Sequence, residues 1–236
     1  MRYVGATDAG RVRSGNEDCY GFDASRSVAV LADGMGGLNA GEVASAAAVK
    51  AFLDRVPADC DAATLTAAVG HANGEVYELA RSQGGHALMG TTLVACVNGL
   101  RPDGALLWLF ANVGDSRAYL LRDRKLTQVT RDHSVVQELT EQGVMTAAEA
   151  RVAPNRHIIT RAIGLEPEVD VDVEAIQRHE NDLVLLCSDG LTDMLTEATI
   201  AEVLTSESDL ASAADRLVAA ANEAGGMDNI SVVLIH

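Results

Sequence analysis

Residues 92–121 read TLVACVNGLRPDGALLWLFANVGDSRAYLL. Three apolar runs stand out in this stretch, Thr92–Val97, Leu106–Val113 and Ala118–Leu121, each bounded by turn residues as a strand should be. The first two are joined through Asn98-Gly99 and Pro102-Asp103-Gly104, and the second meets the third at Gly114-Asp115. A parallel crossover needs a dozen residues or more, so connections this short predict antiparallel neighbours. Val28–Ala32, Leu183–Cys187 and Ile230–Ile235 add three more strand candidates.

Helical spacing appears elsewhere. Leu65, Ala68, Val69, Ala72, Val76, Leu79 and Ala80 share one helical face. Val49, Phe52, Leu53 and Val56 repeat the pattern at the end of an alanine-rich stretch that starts near Ala40, and Leu210, Ala213, Ala214, Leu217, Val218 and Ala221 repeat it again. Ser206 and Asp209 are expected to cap that last helix, and Gly225-Gly226 to stop it. The helices are grouped rather than alternating with strands, which predicts an α+β fold of antiparallel sheet covered by helices.

The chain has 236 residues, 48% of them hydrophobic, enough to bury a full core, and no linker splits it, so one domain is expected. Its net charge of −16 repels phosphate backbones and anionic lipid surfaces, so neither nucleic acid nor membrane is an expected partner. The longest apolar run, Ala105–Ala111, is far too short for a membrane span, and Met1–Asp18 lacks the apolar block of a signal peptide. The four cysteines show no C-x-x-C pairing, and Cys96 and Cys187 lie inside strand-like runs, which fits a cytoplasmic protein.

The acids sit at strand ends. Asp33-Gly34 follows Val28–Ala32, Asp189-Gly190 follows Leu183–Cys187 after Ser188, Asp115 follows Leu109–Gly114, and Asp228-Asn229 precedes Ile230–Ile235. Taken singly, each reads as a turn residue, as Asp103-Gly104 does after Pro102. Together they would repel one another and raise each other's pKa unless a cation held them. An all-oxygen cluster suits Mg²⁺ or Mn²⁺ and disfavours Zn²⁺. The segment Arg13–Asp18 adds Glu17, Asp18 and a guanidinium that can take a phosphoryl group bidentately.

These motifs occur in a fixed order: RSGNED at 13–18, DGMGG at 33–37, GTT at 90–92, NVGDSR at 112–117, TRDHS at 130–134, ITRAIG at 159–164, SDGL at 188–191 and DNIS at 228–231. Over essentially its whole length the chain resembles the metal-dependent protein phosphatases of the PPM (protein phosphatase 2C) type, in their small bacterial serine/threonine branch. The resemblance implies two antiparallel β-sheets packed as a sandwich with helices outside, and a metal cleft at one edge. It implies that Asp33 bridges two Mn²⁺ or Mg²⁺ ions, with the Gly34 carbonyl on the second. Asp189 and Asp228 complete the first ion, and Glu17 and Asp18 hold the second or its waters. Asp115, with Asp189, matches a weaker third site. Arg13 would orient the phosphate while a metal-activated water attacks phosphorus. Residues 135–157 match the flap, a variable subdomain whose Glu138, Glu141, Glu149 and Arg151 form a solvated surface beside the cleft.

One departure stands out. The eukaryotic motif carries His after Asp-Gly as a candidate acid for the leaving alkoxide, and here that position is Met35. His157 is the replacement expected for that role. The function expected is therefore hydrolysis of phosphoserine and phosphothreonine in proteins, opposing a bacterial serine/threonine kinase. A dedicated phosphatase of one regulatory phosphoprotein in partner switching, and a non-catalytic binding module on the same scaffold, are the alternatives. No sensor segment stands beside the motifs, which favours the general role, and the retained acids speak against the binding module.

Overall fold

The computed structural model describes residues 1–37, 40–58, 60–82, 89–100 and 104–236. The expected turn at Pro102-Asp103 lies outside them. One sheet contains β1 (Tyr3–Asp8), β7 (Arg117–Arg122), β8 (Lys125–Gln128), β10 (Leu183–Cys187) and β11 (Ile230–Ile235), in the order β1-β11-β10-β7-β8. The other contains β2 (Asp18–Asp23), β3 (Val28–Met35), β5 (Leu93–Leu100), β6 (Leu106–Val113) and β9 (Asp172–Gln177), in the order β2-β3-β5-β6-β9, with the short β4 (Gly90–Thr91) on the end of β3. Among the described residues every pairing between these strands is antiparallel.

The sheets pack face to face. Ala29, Leu31, Val94, Trp108 and Phe110 of one sheet meet Ala118, Leu120, Val184, Leu186 and Val233 of the other in a sealed layer. The opposite faces carry helices. Val28, Val30 and Ala32 pack under α1 (Ala40–Arg55) and α2 (Ala62–Ser82). Leu185, Cys187, Val232 and Leu234 pack under α5 (Asp189–Thr192), α6 (Glu197–Ser206) and α7 (Leu210–Glu223). Successive residues of β3 and β11 thus face different cores, which is why these strands read as unbroken apolar runs rather than as alternation.

Two expectations are corrected. Leu106–Val113 and Ala118–Leu121 are not neighbours in a sheet: β6 pairs with β5 and β9, whereas β7 pairs with β10 and β8. The turn at Gly114 carries the chain from one sheet to the other, which a short connection permits as readily as a hairpin. The cap of the last helix is Asp209 itself, accepting from the Ser212 amide at 3.1 Å, while Ser206 ends α6 and its hydroxyl donates to the Val203 carbonyl. The stop at Gly225-Gly226 is found as expected, with the Gly226 amide bonded back to Ala221. Between β8 and β9 lie α3 (Val135–Glu141), capped by Ser134, and α4 (Ala147–Val152), capped by a Thr146–Glu149 capping box. Neither of these helices buries a residue fully, and Glu141 pairs with Arg131.

Candidate metal centre

The sandwich brings one end of each sheet together, and the acids collect there around a cleft of about 450 Å³. Asp18 opens β2 and stands opposite Asp33 on β3. The Asp33 amide donates to Thr92 Oγ1 at 2.9 Å, and that hydroxyl also meets Ser116 Oγ at 2.7 Å, so the β3 end is tied to the sheet-switching turn. Asp189 follows β10 after Ser188 and opens α5, and the Ser188 hydroxyl donates to Asp18 Oδ2 at 2.8 Å. Asp228 precedes β11.

Asn229 organises the N-terminal loop. Its Nδ2 donates to the Ala9 and Gly15 carbonyls at 3.0 and 2.8 Å, and its Oδ1 accepts from the Glu17 amide at 2.8 Å. That loop delivers Arg13, whose Nη2 lies 2.6 Å from Asp228 Oδ2. Both Asp-Gly pairs are close-packing devices. A Cβ on Gly34 would lie 2.1 Å from the Gly41 carbonyl oxygen, and one on Gly190 would lie 2.0 Å from that of Asn229.

The electrostatics are those of an unmet charge. Burial, and then the neighbouring Asp18, Asp189, Asp115 and Asp228, push the Asp33 carboxyl well above the ordinary range. Asp115 is raised by burial and then by Asp189 and Asp132. Burial lifts Asp18 to about 7 against the opposing hydrogen bond from Ser188, and burial also raises Glu17. Asp18 Oδ1 and Asp189 Oδ1 are buried with no hydrogen-bond partner among the described residues. Orphaned carboxylate oxygens beside mutually destabilised acids are what a bound cation would resolve, and the donor set of Glu17, Asp18, Asp33, Asp115, Asp189 and Asp228 is all oxygen. The residues present fit divalent ions of the Mg²⁺ or Mn²⁺ kind.

The model of the family described as protein phosphatase 2C matches residues 10–230. The chain belongs to the protein phosphatase 2C family. Similar proteins include the serine/threonine phosphatase stp of Listeria monocytogenes, 38% identical over 98% of this chain and 93% of the relative. Protein phosphatase PhpP of Streptococcus pneumoniae is 36% identical over 97% of this chain and 94% of its own. Among solved structures, the PPM Ser-Thr phosphatase MsPP of Mycobacterium smegmatis, in complex with cacodylate, superposes with a TM-score of 0.88 at 39% identity, covering 100% of this chain and 97% of that one. The catalytic domain of the serine/threonine phosphatase PstP with two manganese ions gives 0.84 at 37% identity over 99% and 96% of the two chains.

Within this protein phosphatase 2C fold, Arg13, Glu17, Asp33, Gly34, Asp115, Asp189 and Asp228 all line one cleft. Asp18 sits behind Asp33, bonded to Ser188. His157 lies on the same wall, its Nδ1 3.7 Å from Asp189 Oδ2 and 3.5 Å from Asp193 Oδ2. The nearby Asp189 carboxylate and the charge of Asp193 raise its pKa against partial burial, which favours the protonated ring. Sequence reasoning missed Asp193, which also takes Arg156 Nε at 3.4 Å and whose own pKa is raised by burial and Asp189. It stands one helical turn past Asp189, at the end of α5. Thr92, Ser116 and Asn229 were missed as supports, although each lies inside one of the ordered motifs. Met35 occupies the cleft wall with Met194 and Met227.

Proposed function

We propose that this chain is a Mn²⁺- or Mg²⁺-dependent protein phosphatase that hydrolyses phosphoserine and phosphothreonine, with residues 1–236 as one phosphatase domain and residues 135–157 as its flap. The observation that carries the reading is the meeting of Asp33, Asp189 and Asp228, from three strand ends in two sheets, with Arg13 at one cleft. Asp33 would bridge two ions with the Gly34 carbonyl on the second. Asp189 and Asp228 would complete the first, Glu17 and Asp18 would hold the second or its waters, and Asp115 with Asp189 would take a weaker third. Bound there, the ions supply Lewis acidity, lowering the pKa of a water toward neutrality and drawing charge from the phosphoryl oxygens.

The protein groups do the rest. Arg13, braced against Asp228 by one N–H, has further N–H groups for the phosphate oxygens and holds the group in line for attack. Attack by the water oxygen on phosphorus breaks the bond to the serine or threonine oxygen. That alkoxide takes a proton from His157, giving the free hydroxyl and inorganic phosphate. Asp189 and then Asp193 raise the His157 pKa against partial burial, the direction that a proton donor needs. Met35 lines the same cleft and offers no proton, whereas His157 does.

Phosphorylated proteins are the substrates, and a bacterial serine/threonine kinase is the activity it would oppose. No helix among the described residues is long and apolar enough to cross a membrane, and a cytoplasmic site of action is part of the same proposal. Hydrolysis of a phosphothreonine peptide with Mn²⁺ and with EDTA tests the reading. It predicts activity that EDTA abolishes and Mn²⁺ restores, and activity that survives chelation would overturn it.

A further inference from the structure

His133 is buried to 1% exposure, and the mechanism above does not use it. Its backbone amide donates to the Gly114 carbonyl at 2.9 Å, and its ring Nδ1 faces the Gly114 amide at 3.1 Å. One residue therefore holds both polar groups of Gly114, the residue at which the chain leaves β6 and turns toward Asp115. The backbone there has φ +107°, and a Cβ on Gly114 would lie 2.6 Å from Thr92 Cγ2, so this turn is tightly specified from both sides.

The other ring nitrogen faces outward to β9. Nε2 lies 3.1 Å from Asp172 Oδ2, with Arg161 Nη1 at 3.2 Å and that same Arg161 atom 2.7 Å from Asp172 Oδ1. Because the Gly114 N–H can only donate, Nδ1 accepts, and the ring proton sits on Nε2 facing the carboxylate. Burial pushes the imidazole pKa down, with Asp172 opposing it and Arg161 and Arg131 adding to it, so the ring stays in this neutral form. On its C-terminal side His133 leads straight into Ser134, the cap of α3, and its carbonyl accepts from Thr160 at 2.8 Å.

We infer that His133 is a positioning residue: through the bond from the Gly114 amide to Nδ1 it fixes the sheet-switching turn and so aims the Asp115 carboxylate into the cleft, tying that aim to the root of the flap. The inference rests on the reading of Asp115 as a metal ligand. A residue that only filled space would be indifferent to which ring nitrogen kept its hydrogen bond. A positioning residue depends on one of them.

Asparagine and glutamine separate the two bonds. In His133→Asn the side-chain oxygen falls where Nδ1 was and still accepts from Gly114, whereas in His133→Gln the amide reaches only toward Asp172. Two readouts apply, protection of the Gly114 amide from hydrogen exchange in the metal-free protein and a Mn²⁺ binding isotherm. His133→Gln should lose the Gly114 protection and weaken the weakest Mn²⁺ site by about tenfold or more, as removal of a group orienting a ligand does. His133→Asn should keep the protection and stay within about threefold of the parent on the scale of such effects. Equal behaviour of the two variants in both readouts, or greater damage from His133→Asn, would overturn the inference.

Gly114→Ala loads the same turn from the Thr92 side with His133 intact, and covers the case in which His133→Gln does not fold. It should weaken the same site, and an unchanged isotherm would also overturn the inference. Asp115→Asn keeps the two claims apart. If it leaves every Mn²⁺ site unchanged, the assignment of Asp115 as a ligand fails. If it removes the weakest site while His133→Gln and Gly114→Ala do not, the positioning role fails and the ligand assignment stands.

Discussion

Asp18 is a carboxyl held in the wrong environment for its charge. Burial lifts its pKa to about 7, and one of its oxygens has no partner among the described residues. Asp18→Asn removes that charge without changing shape. In the metal-free protein at pH 8 it should therefore raise the melting temperature by a few degrees, the shift that about 1 kcal/mol gives a domain of this size. Differential scanning fluorimetry in chelator reads this directly, and in saturating Mn²⁺ the variant should lose the advantage. His157 makes a second prediction at this scale. If it supplies the leaving-group proton, His157→Ala should lower kcat on a phosphoserine peptide by about 10²-fold. On p-nitrophenyl phosphate, whose leaving group needs no proton, it should change little, and a rate on the peptide equal to that of the parent would remove His157 from the mechanism.

Among elements, Asn229 ties Ala9, Gly15 and Glu17 of the N-terminal loop to the start of β11, beside the Gly34 amide and the Ser45 hydroxyl, which both donate to the Glu17 carbonyl. Asn229→Ala leaves the Glu17 amide and two carbonyls without these bonds, at a cost of roughly 1–3 kcal/mol for each group that stays buried. Arg13 is delivered by that loop, so the Michaelis constant for a phosphopeptide should rise as stability falls, as steady-state kinetics beside a denaturation curve would report. The strands buried on both faces, β3, β5, β6, β7, β10 and β11, read directly as apolar runs. The edge strands β1, β2, β8 and β9 did not, because a solvent-facing side leaves sequences such as YVGATD and KLTQ with no unbroken apolar run. The turn at Gly114 read as a hairpin because loop length says that two strands are close without saying whether they share a sheet. The acids at strand ends were legible as a set. Asp193 and the hydroxyls of Thr92, Ser116 and Ser188 were not, since their roles depend on which strand ends the fold brings together.

For the whole molecule, the net charge of −16 is not spread evenly over the surface: Glu17, Asp33 and Asp115 in one cleft and Asp18 behind it carry raised pKa values. A carboxyl whose pKa is higher folded than unfolded binds more protons in the native state between the two values. Stability of the metal-free protein should therefore fall as pH rises from about 4, the unfolded carboxylate value, through about 7, the value for Asp18. Mn²⁺ binds the ionised carboxylates and should reverse the slope over the same range. Thermal melts at pH 5 to 8 with and without Mn²⁺ would show the two trends crossing, and parallel curves would mean that the cleft acids do not control stability.

If Asp33 holds the ions on which hydrolysis depends, turnover fails without its carboxylate. The most direct test is kcat/KM for a phosphothreonine peptide measured for Asp33→Asn across a Mn²⁺ titration, beside the parent protein. A loss of at least about 10³-fold that no Mn²⁺ concentration restores, equivalent to about 4 kcal/mol of transition-state stabilisation, is the predicted result. A variant within about tenfold of the parent at saturating Mn²⁺, a loss of only about 1.4 kcal/mol, would mean that hydrolysis does not depend on ions held by Asp33.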